Sequence, residues 1–258
     1  MKYLKHRVQA GEVLFGTFVN LGSSLTAEIV GAAGYDWVLI DLEHGAGDER
    51  EALFQMQALE HTPATPLVRI ESLNRPRFHR VLDFGAAGIM IPRVDTVEQA
   101  QEAVSCMRFQ PRGIRGVAQM NRACEFGKSF QDYVDNGESQ LLGIVQIESP
   151  LAVSNAEAIA ALEGVDVLFV GPIDLSHSMG IPGLIEHPRF VEALQIVASA
   201  AKKSGKAAGI LLRSPDDAAR HLAMGYTFLG CGSDGSMLRV AAHSQLTSLC
   251  EQLRKFTQ

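Results

Sequence analysis

The sequence predicts a single (β/α)8 barrel, an α/β fold in which eight parallel strands close into a cylinder surrounded by helices. Short apolar or β-branched runs alternate with longer amphipathic stretches, a pattern typical of parallel sheets. Eight such units fill the 258 residues, close to the roughly 250 residues usual for this barrel. A doubly wound open sheet is the rival fold, but no G-x-G-x-x-G follows the first predicted strand. We therefore expect residues 1–258 to form one barrel domain.

The predicted strands are the apolar runs at residues 13–20, 36–42, 66–72, 88–94, 141–149, 165–171, 207–213 and 226–232. Between them, stretches such as DEREALFQMQALEH and PRFVEALQIVASAAKKSG carry apolar residues at three- and four-residue spacing, which predicts helices. Glycines end several of these helices, in GAAGYD, GAAGIM, EGVD, KSGK and MGYT, where the chain must turn back. Residues 110–140 have weak periodicity, and such a long segment is usually functional or locally mobile.

The composition argues against several classes of function. The net charge is −6 and no basic run exists to neutralise phosphates, so nucleic acid is not an expected partner. No apolar run approaches the roughly 20 residues of a membrane span, and the N-terminus lacks the apolar centre of a signal peptide. The four cysteines form no C-x-x-C, so neither a zinc knuckle nor a disulfide framework is indicated. A reduced, cytoplasmic location is expected.

Ionisable and amide side chains lie at the carboxyl ends of the predicted strands, where this fold places its chemistry. They are Asp41, Glu43 and His44 on the second strand, Arg69 on the third, Gln146 and Glu148 on the fifth, and Asp174 after the sixth. Gln146 and Glu148 are two residues apart, so both face one side of their strand. Glu148 and Asp174 would repel unless a cation joins them or one is protonated. Oxygen ligands favour Mg²⁺ or Mn²⁺; the alternative is that both carboxylates cap helices or anchor loops.

Arg69 and His44 indicate what such a site does. A guanidinium in an apolar strand needs an anionic partner, either an internal carboxylate or a substrate carboxylate or enolate. His44 is a candidate general base, with Asp41 or Asp83 at its second nitrogen and Glu43 as a further candidate for its support. No lysine projects into the predicted barrel, so the electron sink is expected to be a metal rather than a Schiff base. The glycine-rich GCGSDGSML is either an anion cradle or a plain strand-to-helix turn.

Together these motifs resemble the HpcH/HpaI family of metal-dependent pyruvate aldolases. The resemblance covers essentially the whole chain and is carried by AEIVGAAGYDWVLIDLEH, LVRIESLN, RGIRGV, VQIES and GPIDLS, in the family's order and spacing. It implies that Glu148 and Asp174 ligate a divalent ion (Mg²⁺ or Mn²⁺, with Co²⁺ possible). Pyruvate, or the pyruvoyl end of the substrate, would chelate that ion. The family assembles as trimers of dimers, which implies a homohexamer whose last helix packs on a neighbouring subunit.

The resemblance also implies roles for single residues. Gln146 and the backbone around Gly171 and Ile173 would contact the substrate carboxylate, beside Asp174. Arg69 would stabilise the enolate, and His44 would be the base, acting through a metal-bound water. Asp83 would tune the basicity of His44 from the contact between subunits. Val117 would line the end of the site that holds the aldehyde. Ile173 departs from the smaller or polar residue often found in the family, which implies a narrower pocket.

The sequence therefore predicts a carbon–carbon lyase that reversibly cleaves a 4-hydroxy-2-oxo acid to pyruvate and an aldehyde, in aromatic or sugar acid catabolism. Three alternatives stay open. A CoA-ester lyase of the citrate lyase β type would need a CoA-binding surface. A non-catalytic barrel would only bind metal and a keto acid. A phosphoenolpyruvate-type mutase or hydrolase would need a phosphate grip.

Overall fold

The computed structural model describes residues 2–256 and contains the predicted closed barrel. Among these residues eight parallel strands pair in sequence order, and the eighth pairs with the first. The strands are β1 Leu14–Val19, β2 Trp37–Asp41, β3 Thr65–Arg69, β4 Gly88–Ile91, β5 Leu142–Ile147, β6 Val167–Val170, β7 Ala207–Leu212 and β8 Tyr226–Ser233. All eight predicted strands are confirmed. Several are shorter than predicted, because the polar residues at their carboxyl ends leave the ladder and enter loops.

Helices connect and surround the strands. They are α1 Lys5–Gln9, α2 Ser24–Ala32, α3 Glu49–Leu59, α4 Arg75–Asp83, α5 Val97–Met107, α6 Phe130–Asp132, α7 Glu138–Gln140, α8 Pro150–Ala160, α9 Pro172–Ser178, α10 Pro188–Lys203, α11 Ala218–Ala223 and α12 Asp234–Phe256. The expectation of one helix per strand was too simple, because α1 precedes β1 and α9 precedes α10. Residues 110–140 are irregular as predicted, with α6, α7, a 3₁₀ turn and a π-helical turn.

Local sequence explains where the crossovers begin and end. Helices α3 and α5 start with capping boxes, in which Asp48 pairs with Glu51 and Thr96 with Gln99. The glycines of the five predicted returns all have positive φ, which glycine adopts without steric cost. They are Gly34, Gly85, Gly164, Gly205 and Gly225. These predicted C-caps are therefore confirmed.

An aromatic core fills the barrel interior. The only tryptophan of the chain, Trp37, stacks on Phe228 with ring centroids 4.5 Å apart. Phe18 and Phe169 meet Trp37 at its edges. This cluster is separate from the larger layer of apolar side chains between strands and helices. It fills the middle of the barrel with apolar side chains, so that polar side chains lie towards its two ends.

Helix α1 lies at the amino end of the barrel. Its Val8 and the preceding Leu4 are buried in the inner cluster. Lys5 forms an ion pair with Asp166, just before β6, at 3.1 Å. The amino end is thereby closed by packed side chains. In the part of the chain that is described, no helix is both long enough and apolar enough to span a membrane.

Candidate active site

Strand alternation places a polar layer on top of the aromatic core. Trp37 and Leu39 of β2 belong to the inner cluster, and two residues further the inward position is Asp41. In the same way Leu67 is followed by Arg69 on β3. On β5 the inner residues Leu142 and Ile144 are followed by Gln146, and then by Glu148 just past the strand. The side chains of Asp41, Arg69, Gln146 and Glu148, which were predicted from the strand ends, are therefore brought together at the opening of the barrel at its carboxyl end. This opening is the mouth of the barrel.

Arg69 is held by two carboxylates from the second strand end. Its Nε and Nη2 donate to the two oxygens of Asp41 at 2.9 and 2.7 Å, and Nη1 lies 3.0 Å from Oε2 of Glu43. Burial lowers the pKa of Arg69, but the bonds to Asp41 and the charge of Glu43 raise it overall. A guanidinium carries five N–H donors, so two remain for a ligand. Of the two kinds of partner considered for Arg69, the structure shows the internal carboxylates, Asp41 and Glu43.

His44 stands at the rim beside this ion pair. Its backbone N–H donates to Asp41 Oδ1 at 3.3 Å, and its Nε2 lies 3.8 Å from Glu43 Oε2. The imidazole is 65% exposed, so it faces the space where a substrate would enter. Asp41 uses both oxygens on Arg69 and on backbone amides. The carboxylate nearest to the His44 ring in this chain is therefore Glu43.

Glu148 is the most perturbed carboxylate of the mouth. Burial, and after it the negative charges of Asp174 and Glu43, raises its pKa to about 7. Gln146 Nε2 donates to Oε1 at 2.6 Å, and the backbone N–H of Arg93 donates to Oε2 at 3.2 Å. A buried anion with so little compensation is a site where a cation would be stabilising.

Gly171 completes the surroundings of Glu148 because it has no side chain. A Cβ at this position would lie 2.3 Å from Glu148 Oε1, well inside van der Waals contact. Asp174 is exposed in the first turn of α9, and its neighbour Ile173 is 57% exposed. The turn from β6 into α9 therefore presents a backbone, a carboxylate and an apolar side chain to the mouth.

Gln146 has an unpaired oxygen. Its side chain is buried, and Oε1 has no hydrogen-bond partner among the described residues. Unsatisfied buried acceptors are rare and need an explanation. In this orientation the oxygen suits a hydroxyl or water donor. A contact to a substrate carboxylate would require the amide to turn over, and then its oxygen would face Glu148.

Two predicted residues lie away from the mouth of their own barrel. Asp83 is in the last turn of α4, which runs from the carboxyl end of β3 to the amino end of β4, and it pairs with Arg115 at 2.9 Å. Val117 follows in the irregular segment, 61% exposed. Within one chain Asp83 therefore does not reach His44, because the two lie at opposite ends of the barrel.

Two positions near the strand ends were given no role by the sequence. Arg93 follows β4 with φ of 53°, an uncommon value for a residue other than glycine. Nothing in the sequence around Arg93 predicts this conformation. Asp234 is the first residue of α12, and its buried carboxylate accepts N–H donors from Asn20, Leu21 and Gly235. The GCGSDGSML turn is therefore occupied by its own carboxylate rather than open to an anion. An aspartate after glycines at a helix start could have indicated this.

A separate cavity lies near the irregular segment, away from the mouth. That cavity of about 760 Å³ lies towards the amino end, between α3 and residues 122–140. Its charged groups pair with one another, Arg122 with Glu60 and Lys128 with Glu125. Among the described residues, the strongly shifted carboxyl pKa and the contacts of one guanidinium with two carboxylates lie at the mouth rather than in this cavity.

Comparisons with known proteins agree with this geometry. The family model described as HpcH/HpaI aldolase/citrate lyase matches residues 14–241. A protein of Salmonella arizonae named 5-keto-4-deoxy-D-glucarate aldolase is 40% identical over 235 residues, 91% of each chain. The crystal structure of an HpcH/HpaI aldolase/citrate lyase family protein from Burkholderia cenocepacia is 39% identical with a TM-score of 0.91, covering 95% of this chain and 98% of that one. An HpcH/HpaI aldolase from Desulfitobacterium hafniense is 29% identical with a TM-score of 0.89, covering 96% and 97%.

Proposed function

This chain belongs to the HpcH/HpaI aldolase/citrate lyase family and is an aldolase, and we propose that its mouth cleaves a 4-hydroxy-2-oxo acid reversibly to pyruvate and an aldehyde. The observation that carries the proposal is the buried Glu148, whose pKa is raised to about 7. Asp174 and the ion-paired Arg69 lie at the same mouth. Perturbed carboxylates in a barrel mouth are typical of active sites.

The donor set fits a divalent ion. Each oxygen of Glu148 accepts a single hydrogen bond, and Asp174 supplies a second carboxylate. No group of three or more His, Cys, Asp or Glu side chains suited to a metal occurs within residues 2–256. Two carboxylates completed by water and substrate are the usual arrangement for Mg²⁺, and Mn²⁺ accepts the same ligands. When bound, such an ion would act as a Lewis acid that polarises the substrate keto group.

Arg69 and His44 divide the remaining chemistry. The two free N–H donors of Arg69 point to a stabilising role for the enolate oxygen as negative charge develops. His44 takes the proton of the C4 hydroxyl, which allows the bond between C3 and C4 to break. Asp41 acts on both, because it fixes the guanidinium and accepts the backbone N–H of His44. Because Asp41 contacts both His44 and Arg69, it orients the base and the guanidinium towards the same substrate.

The pyruvoyl end is bounded by Gln146 and by the turn after β6. Backbone N–H groups at Gly171 and Ile173 open α9, and a helix start favours an anion. The exposed side chain of Ile173 narrows the same opening. A relative is named for 5-keto-4-deoxy-D-glucarate, so sugar acids are the first substrates to try.

We also propose that the active enzyme is a homo-oligomer, a hexamer on the family pattern. Helix α12 is almost entirely exposed along 23 residues, including Leu238, Leu246 and Leu249. Leu25 and Ile29 of α2 are about 70% exposed nearby. A second chain would bury these side chains. It would also bring its Asp83 and Val117 to a mouth that lacks them.

The test is pyruvate release from a racemic 4-hydroxy-2-oxo acid, with Mg²⁺, Mn²⁺ or EDTA. The wild type should release pyruvate only with metal, and Glu148→Ala should lose at least about 100-fold of that rate, since a ligand is gone. Glu157→Ala is the matched control, because Glu157 is an exposed carboxylate on α8 paired only with Lys203. Release that persists in EDTA would overturn the metal assignment. Absence of release with every metal would overturn the reaction.

A further inference from the structure

We propose that Arg93 binds the carboxylate at the far end of the substrate, which makes the enzyme selective for diacids. This inference rests on the proposed function, because it concerns the end of the substrate that becomes the aldehyde. It assigns a recognition role to a residue that the mechanism above uses only through its backbone.

The backbone of Arg93 is fixed against the reacting centre. Its N–H donates to Glu148 Oε2 at 3.2 Å, and the next N–H, of Val94, donates to the carbonyl of Gln146 at 3.3 Å. The left-handed conformation of Arg93 is a strained state that persists only where its surroundings demand it. The side chain thus starts from a rigid point at the rim, between Arg69 on β3 and Glu148 on β5.

The guanidinium of Arg93 is unengaged. The side chain is exposed, and within residues 2–256 it makes no ion pair or hydrogen bond. The neighbouring arginines of the rim are occupied: Arg75 donates twice to the carbonyl of Ile114, and Arg77 pairs with Glu49 and Glu71. Of these rim cations, Arg93 is the one available to a ligand.

The charge balance of the mouth requires such a cation. Arg69 is matched by Asp41 and Glu43, and a divalent ion would match Glu148 and Asp174. A 4-hydroxy-2-oxo diacid then adds two negative charges to a rim that is already acidic. The remote carboxylate needs a positive partner, and a guanidinium binds a carboxylate through two parallel N–H donors.

Arg213 provides the comparison within the same chain. It also follows a strand, β7, is exposed and has no ion pair or hydrogen bond in the described residues. However, it lines a small crevice with Asp217 and His221 on the outer side of the barrel. Two acidic residues, Asp216 and Asp217, lie close in sequence and disfavour an anion. The observations therefore favour Arg93.

The experiment compares a 4-hydroxy-2-oxo diacid with the monoacid that has a hydroxymethyl group in place of the remote carboxylate. The quantity measured is the ratio of kcat/KM for the diacid to kcat/KM for the monoacid. Arg93→Gln should lower this ratio about 10- to 100-fold, the range for a lost charge-assisted hydrogen bond. Arg93→Lys should retain part of it, and Arg213→Gln should leave it as in the wild type. An unchanged ratio in Arg93→Gln, or an equal fall in Arg213→Gln, would overturn the inference.

A second readout separates this inference from the proposed function. Exchange of the pyruvate methyl protons with deuterium in D₂O needs the pyruvoyl end, the divalent ion and a base to accept the proton, but not the remote carboxylate. If wild type shows no exchange, the proposed function itself fails. If Arg93→Gln exchanges and binds Mn²⁺ as wild type does while its ratio falls, the role is recognition of the remote carboxylate. Loss of exchange and Mn²⁺ binding in Arg93→Gln would instead mean that the variant only displaces Glu148.

Discussion

The buried carboxyl of Glu148 couples the protonation of a single residue to the stability of the metal-free protein. Its pKa is raised from 4.5 to about 7, chiefly by burial and then by Asp174. The folded state therefore binds this proton more tightly than the unfolded state. The stabilisation is fully present below pH 4.5 and is lost as the pH rises through about 7. The proton and a divalent ion would compete for the same oxygens.

We therefore expect the free energy of unfolding in EDTA to fall with rising pH by an amount that Glu148→Gln abolishes. The shift corresponds to about 3 kcal/mol between the protonated and ionised limits. Denaturant unfolding of wild type and Glu148→Gln at about pH 5 and about pH 8 measures this contribution together with its coupling to Asp174 and Glu43, because groups away from the mouth titrate equally in both proteins. A difference between the two proteins that is the same at both pH values would contradict the assignment.

At this scale the sequence revealed residue types but not their partners. Asp41, Arg69, Gln146 and Glu148 could be placed at one mouth because strand alternation fixes direction. The pairing of Arg69 with both Asp41 and Glu43 could not be foreseen, because it depends on how the loop after β2 folds back. Arg93 was given no role for a similar reason, since neither its left-handed conformation nor the bond from its N–H to Glu148 can be read from the sequence.

At the scale of elements, two glycines lie where a neighbouring side chain occupies the space of a Cβ. One contacts a residue of the site and the other a residue of the aromatic core. Gly171 ends β6 against Glu148, and Gly16 in β1 faces Trp37, where a Cβ would lie 1.9 Å from the indole. Neither has a positive φ, so each is required for space rather than for backbone conformation. The strand pattern predicted both strands, but it could not predict which neighbour approaches a glycine.

Substituting these glycines should separate the site from the fold. Gly171→Ala should weaken Mn²⁺ binding and lower kcat/KM about 10- to 100-fold, because the new methyl displaces Glu148, the proposed ligand of the ion. The free energy of unfolding of Gly171→Ala should differ little from that of the wild type. Gly16→Ala should cost 1–3 kcal/mol or more of stability, roughly the cost of overpacking a core. Calorimetric titration with Mn²⁺ and denaturant unfolding of both variants measure this. Equal effects of the two substitutions on both quantities would refute the distinction.

At the scale of the whole molecule, two residues that were predicted to act together lie at opposite ends of one barrel. His44 is at the carboxyl end, whereas Asp83 is at the amino end of the same barrel. The fold of one chain was predictable from the alternation of strands and helices. An arrangement between chains is harder to predict from sequence, because the exposed leucines of an amphipathic helix such as α12 do not give the orientation of a second chain.

If His44 of one subunit works with Asp83 of another, two inactive variants should rescue each other. His44→Ala and Asp83→Ala should each be strongly impaired, and oligomers assembled from an equal mixture should regain about a quarter of wild-type activity by statistics of a two-fold contact. The control mixture is His44→Ala with Glu148→Ala, which alter one mouth of one chain and should not rescue each other. Absence of rescue in the first mixture, with mixed oligomers verified, would refute the shared site.

The stacked Trp37 gives the protein a built-in optical probe. It is the only indole in the chain, it is fully buried, and its Nε1 has no hydrogen-bond partner among the described residues. Its emission should therefore lie at short wavelength while the aromatic core is intact. Contact with water on unfolding would move the emission to longer wavelength. Every spectral change then reports the interior of the cylinder alone, with no background from the rim or from α12.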